Sequence, residues 1–364
     1  MNLKNALRSA IVVLALSSAM PALAGNITYR CDPSIAAATC NYLNTTVAGE
    51  YNSTFTDANA DIYIQYGTTE LASSEEELND AIYSSYVAAL AANADQDALQ
   101  ASALSALNSF AAPAYGSGNV ELSAALESAL GLGTPTGITS GGSSCSTIGS
   151  GGCYDGIITI TNDPSTPLYY DNLGGTEAAD AYDIYATIEH ETDNLLGTAS
   201  CITTSPTLSD GCAGLGSGTP SAADLFRYSA SGSLVVDSSL STTPGAYFSY
   251  NGGATNGAVG SGGSPKYYNT LANGEGYGDF LSSSPNCGTN QAIQDRTGCP
   301  GEDAGLGILN DGGSEINILN AVGYDLTSSS TATPEPGTVG LTMLGIGLVW
   351  AMRKRFARGL PQAD

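Results

Sequence analysis

The chain contains a single histidine, His190, which opens the octapeptide His190-Glu191-Thr192-Asp193-Asn194-Leu195-Leu196-Gly197. Imidazole is a common ligand of divalent metal ions. Glu191 follows directly, and a carboxylate at this place can take a proton from a metal-bound water, whose pKa the metal lowers to about 7. Gly197 allows the chain to turn back at the end of a helix. These residue types in this order indicate hydrolytic chemistry at a metal carried by a helix.

The octapeptide resembles the His-Glu-x-x-His-x-x-Gly helix of zinc proteases, in which histidines at i and i+4 project from one helix face. Asn194 stands where the second histidine is expected, and its amide oxygen suits Ca²⁺ better than Zn²⁺. Asp193 lies at i+3 from His190, on the same face, so a His-x-x-Asp pair could hold the metal instead. Two alternatives stay open: a metal site rebuilt around carboxylates, or an enzyme scaffold that has lost its metal.

Two strands are expected on the N-terminal side of this helix. Alternating apolar residues predict a strand at 61–66, and a β-branched run bounded by glycine and asparagine predicts another at Ile157–Thr161. Between them, the Gly-, Ser- and Thr-rich segment Gly133–Gly152 is typical of a surface loop. The segment Gly252–Gly263 has the same composition and the same interpretation.

Three helices are predicted, two that precede the octapeptide and one that contains it. Ser74 and Glu77 form a capping box that should begin a helix directly after them. A second helix is expected over Asp95–Leu107. Thr176 is expected to cap the helix that carries His190, and this helix should end near Gly197.

Eight cysteines fall in close pairs along the chain. Their even number, together with the secretory signal at the N-terminus that is described next, favours disulfides over thiolate metal sites. The spacing favours four local loops: Cys31/Cys40, Cys145/Cys153, Cys201/Cys212 and Cys287/Cys299.

The N-terminus is typical of a secretory signal peptide over residues 1–24. Lys4 and Arg8 precede an apolar run, and Ala22-Leu23-Ala24 provides a small-residue cleavage site. The mature chain is therefore expected to begin near Gly25 and to form an exported ectodomain over residues 25–332.

The C-terminal residues 333–364 resemble the PEP-CTERM sorting signal of Gram-negative bacteria. Pro334-Glu335-Pro336 precedes an apolar stretch at 339–352, and basic residues follow it. The stretch is short for a stable transmembrane helix, which needs about 20 residues. The resemblance implies signal peptidase and exosortase as partners during export, transient anchoring in the membrane, and delivery to the cell surface or the extracellular matrix. A plain C-terminal membrane anchor is the alternative.

The formal net charge of the chain is −25. Only four of its ten basic residues, Arg30, Arg227, Lys266 and Arg296, lie in the expected ectodomain. Such a body repels nucleic acid and anionic lipid and attracts divalent cations. Nucleic acid is therefore not an expected partner.

The octapeptide and three further blocks resemble a family of zincin-like metalloproteases that carry PEP-CTERM signals. The blocks are Glu189–Ser200, Ser221–Ser229, Gly245–Gly253 and Ile316–Leu326. The resemblance implies an α+β, loop-rich, disulfide-stapled zincin-like catalytic domain at about residues 56–326, with a mixed sheet, a backing helix and an active-site helix. It implies Glu191 as the catalytic base and His190 as a metal ligand, assisted by Asp193 or Asn194. Asp224, in the second block, is the candidate for a further ligand.

The functional hypothesis is an exported metallopeptidase, active or inactive, that acts on extracellular protein with Zn²⁺ or another divalent cation. The alternative is a metal-free, non-catalytic protein of the cell surface or matrix on the same scaffold. A third hypothesis is a carboxylate-rich Ca²⁺ site that only stabilises the fold, for which the acidic turn at Asp303–Asp311 is a candidate. The oligomeric state is left open.

Overall fold

The computed structural model describes residues 25–92, 97–109, 118–170, 178–202, 219–235, 245–269, 276–281, 290–301 and 305–327. The chain divides into a unit of residues 1–327 and a unit of residues 328–364, and the second lies wholly outside these ranges. The predicted signal peptide and sorting signal therefore fall on residues that are not described. No helix within the described ranges combines the length and the apolar character needed to cross a membrane.

The predicted α+β class is confirmed, because the fold mixes several sheets with seven α-helices in the described ranges. The strands are β1 Asn26–Cys31, β2 Asn59–Gly67, β3 Ala72–Glu76, β4 Leu78–Ile82, β5 Asn119–Ser123, β6 Gly137–Thr139, β7 Ser144–Cys145, β8 Cys153–Tyr154, β9 Gly156–Thr161, β10 Leu168–Tyr169, β11 Tyr182–Asp183, β12 Arg227–Ala230, β13 Ser233–Leu234 and β14 Tyr247–Phe248. The α-helices are α1 Ala37–Tyr42, α2 Ala48–Thr54, α3 Tyr83–Ala92, α4 Ala98–Ser109, α5 Ala124–Ala129, α6 Ile184–Asp193 and α7 Ser314–Val322. Single π-helical turns at Leu43–Val47 and Asn194–Thr198 extend α1 and α6, and Ala223–Phe226 is a 3-10 turn.

A four-stranded mixed sheet forms the centre of the fold. Its strand order is β1-β2-β9-β3; the first three strands are parallel, and the edge strand β3 runs antiparallel to β9. Both predicted strands, β2 and β9, are confirmed. Ile62, Ile64 and Ile158 are completely buried, because alternate side chains of these strands project into the core.

Helix α6 carries the octapeptide and packs against the edge strand β3 and against β9. Asp183 caps it, since its carboxylate accepts a hydrogen bond from Tyr185 N at 2.9 Å. Ile184 and Ile188 are buried on the core side. The helical turns end at Thr198, and Gly197 has a φ of 118°, which only glycine adopts readily. The predicted end of this helix is therefore confirmed.

The predicted start of this helix is wrong. Thr176 itself lies outside the described residues, but residues 178–181 are not helical, and Tyr182–Asp183 pairs in parallel with Leu168–Tyr169. Strand pairing with a distant segment outweighs the helical spacing of the apolar residues here. The helix is consequently shorter than predicted and begins only at Ile184.

The helix start predicted from the capping box at Ser74 and Glu77 is also wrong. Ser74 pairs with Ile158 in the central sheet, and Leu78–Ile82 pairs antiparallel with β5. The helix predicted to begin here starts only at Tyr83. A capping box is worth about 1 kcal/mol, and two strand pairings outweigh it.

Helix α4 confirms the second predicted helix where the chain is described. The predicted loop at 133–152 contains β6 and β7, which form a small sheet with β8. The disulfides Cys31–Cys40 and Cys145–Cys153 are confirmed. Cys201 and Cys299 are also disulfide-bonded, and their predicted partners, Cys212 and Cys287, lie outside the described residues.

Candidate functional site

A cleft of about 420 Å³ lies where α6 passes the edge strand β3. Side chains of α6 form its floor, β3 forms one wall, and the segments 276–279 and 291–299 form the opposite wall. The residues of α6 and its π-helical turn that line the cleft are Ala186, Thr187, His190, Glu191 and Asn194. Three of the predicted site residues therefore share one cavity.

His190 is partly buried in this floor, with 20% of its side chain exposed. Its Nδ1 lies 2.8 Å from the carbonyl oxygen of Ile293, and because a carbonyl only accepts, Nδ1 carries the proton. Nε2 is then the free, electron-donating nitrogen when the ring is neutral. A second-sphere carbonyl of this kind orients many metal-binding histidines.

Asp279 faces this imidazole from the opposite wall, with its Oδ1 3.6 Å from Nε2. Burial alone would lower the pKa of His190, but the negative charges of Asp279 and Glu191 and the hydrogen bond to Ile293 raise it above its ordinary value. Sequence analysis missed Asp279. It lies 89 positions after His190, in Gly276-Tyr277-Gly278-Asp279, where no spacing marks it as part of the site.

Glu191 lines the cleft beside His190 and is 7% exposed. It stands one position along α6, so its carboxylate and the imidazole reach the same cavity. The predicted base is therefore placed where a substrate in the cleft would meet it.

Asn194, the residue at the position of the missing histidine, also lines the cleft. Its Oδ1 accepts a hydrogen bond from Gln294 Nε2 at 2.7 Å and another from Thr198 Oγ1 at 3.2 Å. Both acceptor positions of this oxygen are thus used within the protein. Asn194 therefore holds the 290–301 segment against the end of α6, and its amide oxygen is not presented to a metal ion in the cleft.

Asp193 does not line the cleft. It is completely buried, and its Oδ1 accepts a hydrogen bond from Tyr51 OH at 2.8 Å. His190 and Asp193 therefore do not point to a common metal position, as the predicted His-x-x-Asp pair requires. The i+3 spacing permitted it, but helix packing directs this side chain into the core.

Asp224 also lies behind the wall of the cleft. Its carboxylate accepts hydrogen bonds from the backbone N–H groups of Ser221 and Cys201 and from the hydroxyl of Ser200. Ser200 lines the cleft, and the hydrogen bonds of Asp224 fix the backbone next to Ser200. Its oxygens serve the local loop structure, as is typical of a buried aspartate at a turn.

Acidic residues predominate in the cleft lining, which includes Glu70, Glu76, Glu191, Asp279 and Asp295. Lys266 neutralises Asp295 in a bidentate ion pair with N–O distances of 2.6 and 2.7 Å. In the described ranges, no group of three or more His, Cys, Asp or Glu side chains is arranged to hold a metal ion. Two such groups, His190 Nε2 and Asp279 Oδ1, approach to 3.6 Å across the cleft.

No protein-family model, curated protein or solved structure matches the chain. The function of the cleft is accordingly inferred from its own residues.

Proposed function

We propose that this protein is an exported, zincin-like peptidase whose cleft binds an extended stretch of extracellular protein, with Glu191 as the general base. The observation that carries the proposal is the common opening of His190 and Glu191 into a cleft walled by the sheet's edge strand. An edge strand has unpaired N–H and C=O groups, and an extended peptide can pair with them. Such pairing would hold a peptide bond above the floor of α6.

The pair His190 and Asp279 is compatible with one divalent ion. Two ligands of a tetrahedral zinc ion, each about 2.0–2.1 Å from it, stand roughly 3.4 Å apart, close to the 3.6 Å between Nε2 and Oδ1. Bound there, the ion would polarise the peptide carbonyl and acidify the attacking water. Glu191 would accept the proton of that water and pass it to the leaving amine.

The charge of the cleft favours a basic substrate. Lys266 neutralises Asp295, and burial raises the pKa of Glu76 well above its usual range. That leaves Glu70, Glu191 and Asp279 to face Arg296 and His190, the basic groups of the described lining. Peptides that carry lysine or arginine near the cleaved bond should therefore bind better than acidic ones.

A specific observation favours a second candidate, a non-catalytic protein that binds peptides on the same scaffold. Asn194 uses its amide oxygen to hold Gln294 and Thr198, so the position that would supply a second imidazole serves to position a loop. A cleft of this kind keeps the edge strand for peptide binding and lacks the full ligand set of a zinc enzyme.

Measurements of cleavage and binding on the same peptides separate the two candidates. The purified exported protein, stripped of metal and supplied with Zn²⁺, is incubated with basic and acidic fluorescent peptides. A general base contributes about 10²–10⁴-fold, so Glu191→Gln should lower kcat/KM at least about 100-fold and leave peptide affinity intact. Glu127→Gln is the matched control, since Glu127 lies in α5 away from the cleft lining.

Each outcome has a defined meaning. Binding without cleavage by the wild type supports the non-catalytic protein and contradicts the peptidase. Cleavage that survives Glu191→Gln contradicts the assigned base. Absence of both binding and cleavage means that the cleft does not serve peptides.

A further inference from the structure

A cluster of buried acids lies behind α6, on the face of the helix that turns away from the cleft. Glu189 and Asp193 lie one turn apart on α6, and neither lines the cleft. Together with Glu50, Asp311 and Glu315 they form what we call the acid cluster. Glu189, Asp193, Asp311 and Glu315 have no solvent-exposed surface. Carboxylates are among the residues least often buried to this degree.

Neighbouring backbone amides hold these carboxylates close together. The adjacent N–H groups of Ile308 and Leu309 bond Glu189 and Glu50, and the adjacent N–H groups of Ile293 and Gln294 bond Asp311 and Glu315; each of the four N–O distances is 3.0 Å. Tyr51 adds Asp193 to the group, because its hydroxyl bonds both Asp193 Oδ1 and the carbonyl oxygen of Glu189. Four parts of the chain thus deliver their acids to one place.

Several oxygens of the cluster meet no hydrogen-bond donor. Glu189 Oε1, Asp193 Oδ2 and Glu315 Oε2 are buried and meet no hydrogen-bond donor in the part of the chain that the structure describes. The side chains of Asp311 and Glu315 lie against each other, so a proton or a cation must stand between them. Leaving such oxygens buried and unpaired is costly.

In the described ranges, no basic side chain forms a salt bridge with the cluster; Lys266 acts on Asp311, and His190 on Asp193, only through their charges. The salt bridges of the described ranges join Arg30 to Asp61, His190 to Asp279 and Lys266 to Asp295. Burial, and then the neighbouring carboxylates, raise the pKa of Glu189 and of Glu315 well above the ordinary value. The cluster must therefore either retain protons or take up a cation from outside.

We propose that the acid cluster is a Ca²⁺ site that ties α2, α6 and α7 together in the exported protein. Its donors are all oxygens, which hard cations prefer, and Ca²⁺ accepts six to eight of them in irregular geometry. No three of these acids are arranged to hold a metal ion as they stand, so binding requires the oxygens of Glu189, Asp193 and Glu315 that lack a donor to turn toward the ion. The inference is independent of the proposed peptidase activity.

Calorimetry and thermal unfolding of the full exported protein test the site with Ca²⁺ alone, after treatment with EGTA. We expect one bound ion with a Kd in the range of extracellular calcium modules, about 10⁻⁴–10⁻³ M. We also expect a rise in Tm of roughly 5 °C when Ca²⁺ reaches 100 times the Kd. Peptide cleavage is not a readout, so failure of the peptidase proposal would not affect the result.

Two neutral variants and one control locate the ion. Glu315→Gln and Asp193→Asn should each weaken Ca²⁺ binding at least tenfold. Both should fold in EGTA, because the amide keeps the size of the carboxyl group and its oxygen can still accept the hydrogen bond from Gln294 N–H or from the Tyr51 hydroxyl. Glu121→Gln is the control, since Glu121 is also buried, lies in β5 and does not belong to the cluster. Ca²⁺ binding that is absent in the wild type, unchanged in both variants, or lost equally in the control would overturn the proposal.

Discussion

Replacing Tyr51 with phenylalanine should destabilise the protein far more than the loss of a typical buried hydroxyl. Tyr51 lies in α2 and has no exposed surface. Its hydroxyl lies 2.8 Å from Asp193 Oδ1 and 3.1 Å from the carbonyl oxygen of Glu189. The bond to Asp193 is one of two hydrogen bonds between side chains in the described ranges that join α2 to α6, the other being that of the Tyr185 hydroxyl to Glu50. Phenylalanine keeps the ring of Tyr51 and removes only the contacts of its hydroxyl.

The expected loss of stability follows from the two buried oxygens that the Tyr51 hydroxyl bonds. Leaving a buried polar group without its hydrogen-bond partner costs about 1–3 kcal/mol, whereas a typical neutral hydrogen bond contributes about 0.5–1.5 kcal/mol. After the substitution both oxygens of Asp193 lack a partner, because Oδ2 already has none. We therefore expect a loss of about 2–4 kcal/mol, which corresponds to a fall in Tm of roughly 5–10 °C.

Urea unfolding in EGTA, followed by tyrosine fluorescence and circular dichroism, measures this loss. Tyr86→Phe is the matched control, because the Tyr86 ring is also completely buried and its hydroxyl donates only to the carbonyl oxygen of Val322. The control should lose about 1 kcal/mol. If Tyr51→Phe is no more destabilising than Tyr86→Phe, Asp193 does not depend on the hydroxyl, and the account of the buried acids is wrong.

Three further predictions concern stability and are measured by urea unfolding. Burial raises the pKa of Asp155 to about 6, so near pH 5 the folded state binds a proton that the unfolded state lacks. The free energy of unfolding should therefore rise by about 1–2 kcal/mol from pH 7 to pH 5, and Asp155→Asn should remove this part of its pH dependence. Gly197→Ala should lower stability by at least about 1 kcal/mol, because φ is 118° and the new Cβ would lie 3.3 Å from Leu126 Cδ2. Replacing both Cys31 and Cys40 with serine should lower stability by about 2–3 kcal/mol, since the two cysteines are nine positions apart. An unchanged pH dependence in Asp155→Asn, or an unchanged urea midpoint in either of the other two variants, contradicts the corresponding prediction.

Local sequence patterns succeeded where the structure depends on near neighbours. The strands β2 and β9 follow from the alternation and branching of their own residues, and the end of α6 follows from Gly197. The short disulfide loops follow from cysteine spacing, because a chain of about ten residues closes easily.

The same patterns failed where distant segments compete for the backbone. Ser74 and Glu77 have the spacing of a helix start, yet β9 pairs with Ser74 and β5 pairs with the residues that follow Glu77. Tyr182 has the spacing of a helix face, yet it pairs with Leu168. A local preference near 1 kcal/mol is outweighed by a row of backbone hydrogen bonds whose partner the local pattern does not reveal.

The sequence alone determines that an imidazole and a carboxylate stand side by side on a helix that ends at a glycine, because helical geometry relates neighbouring residues directly. Only the tertiary structure decides what surrounds them. It brings Asp279 to His190 from 89 positions away, uses Asn194 to hold a loop, and turns Asp193 inward to Tyr51 and the acid cluster. Helical periodicity states which residues share a face, whereas the direction of that face depends on the packing of α6 between the sheet and the distant segments that cover it.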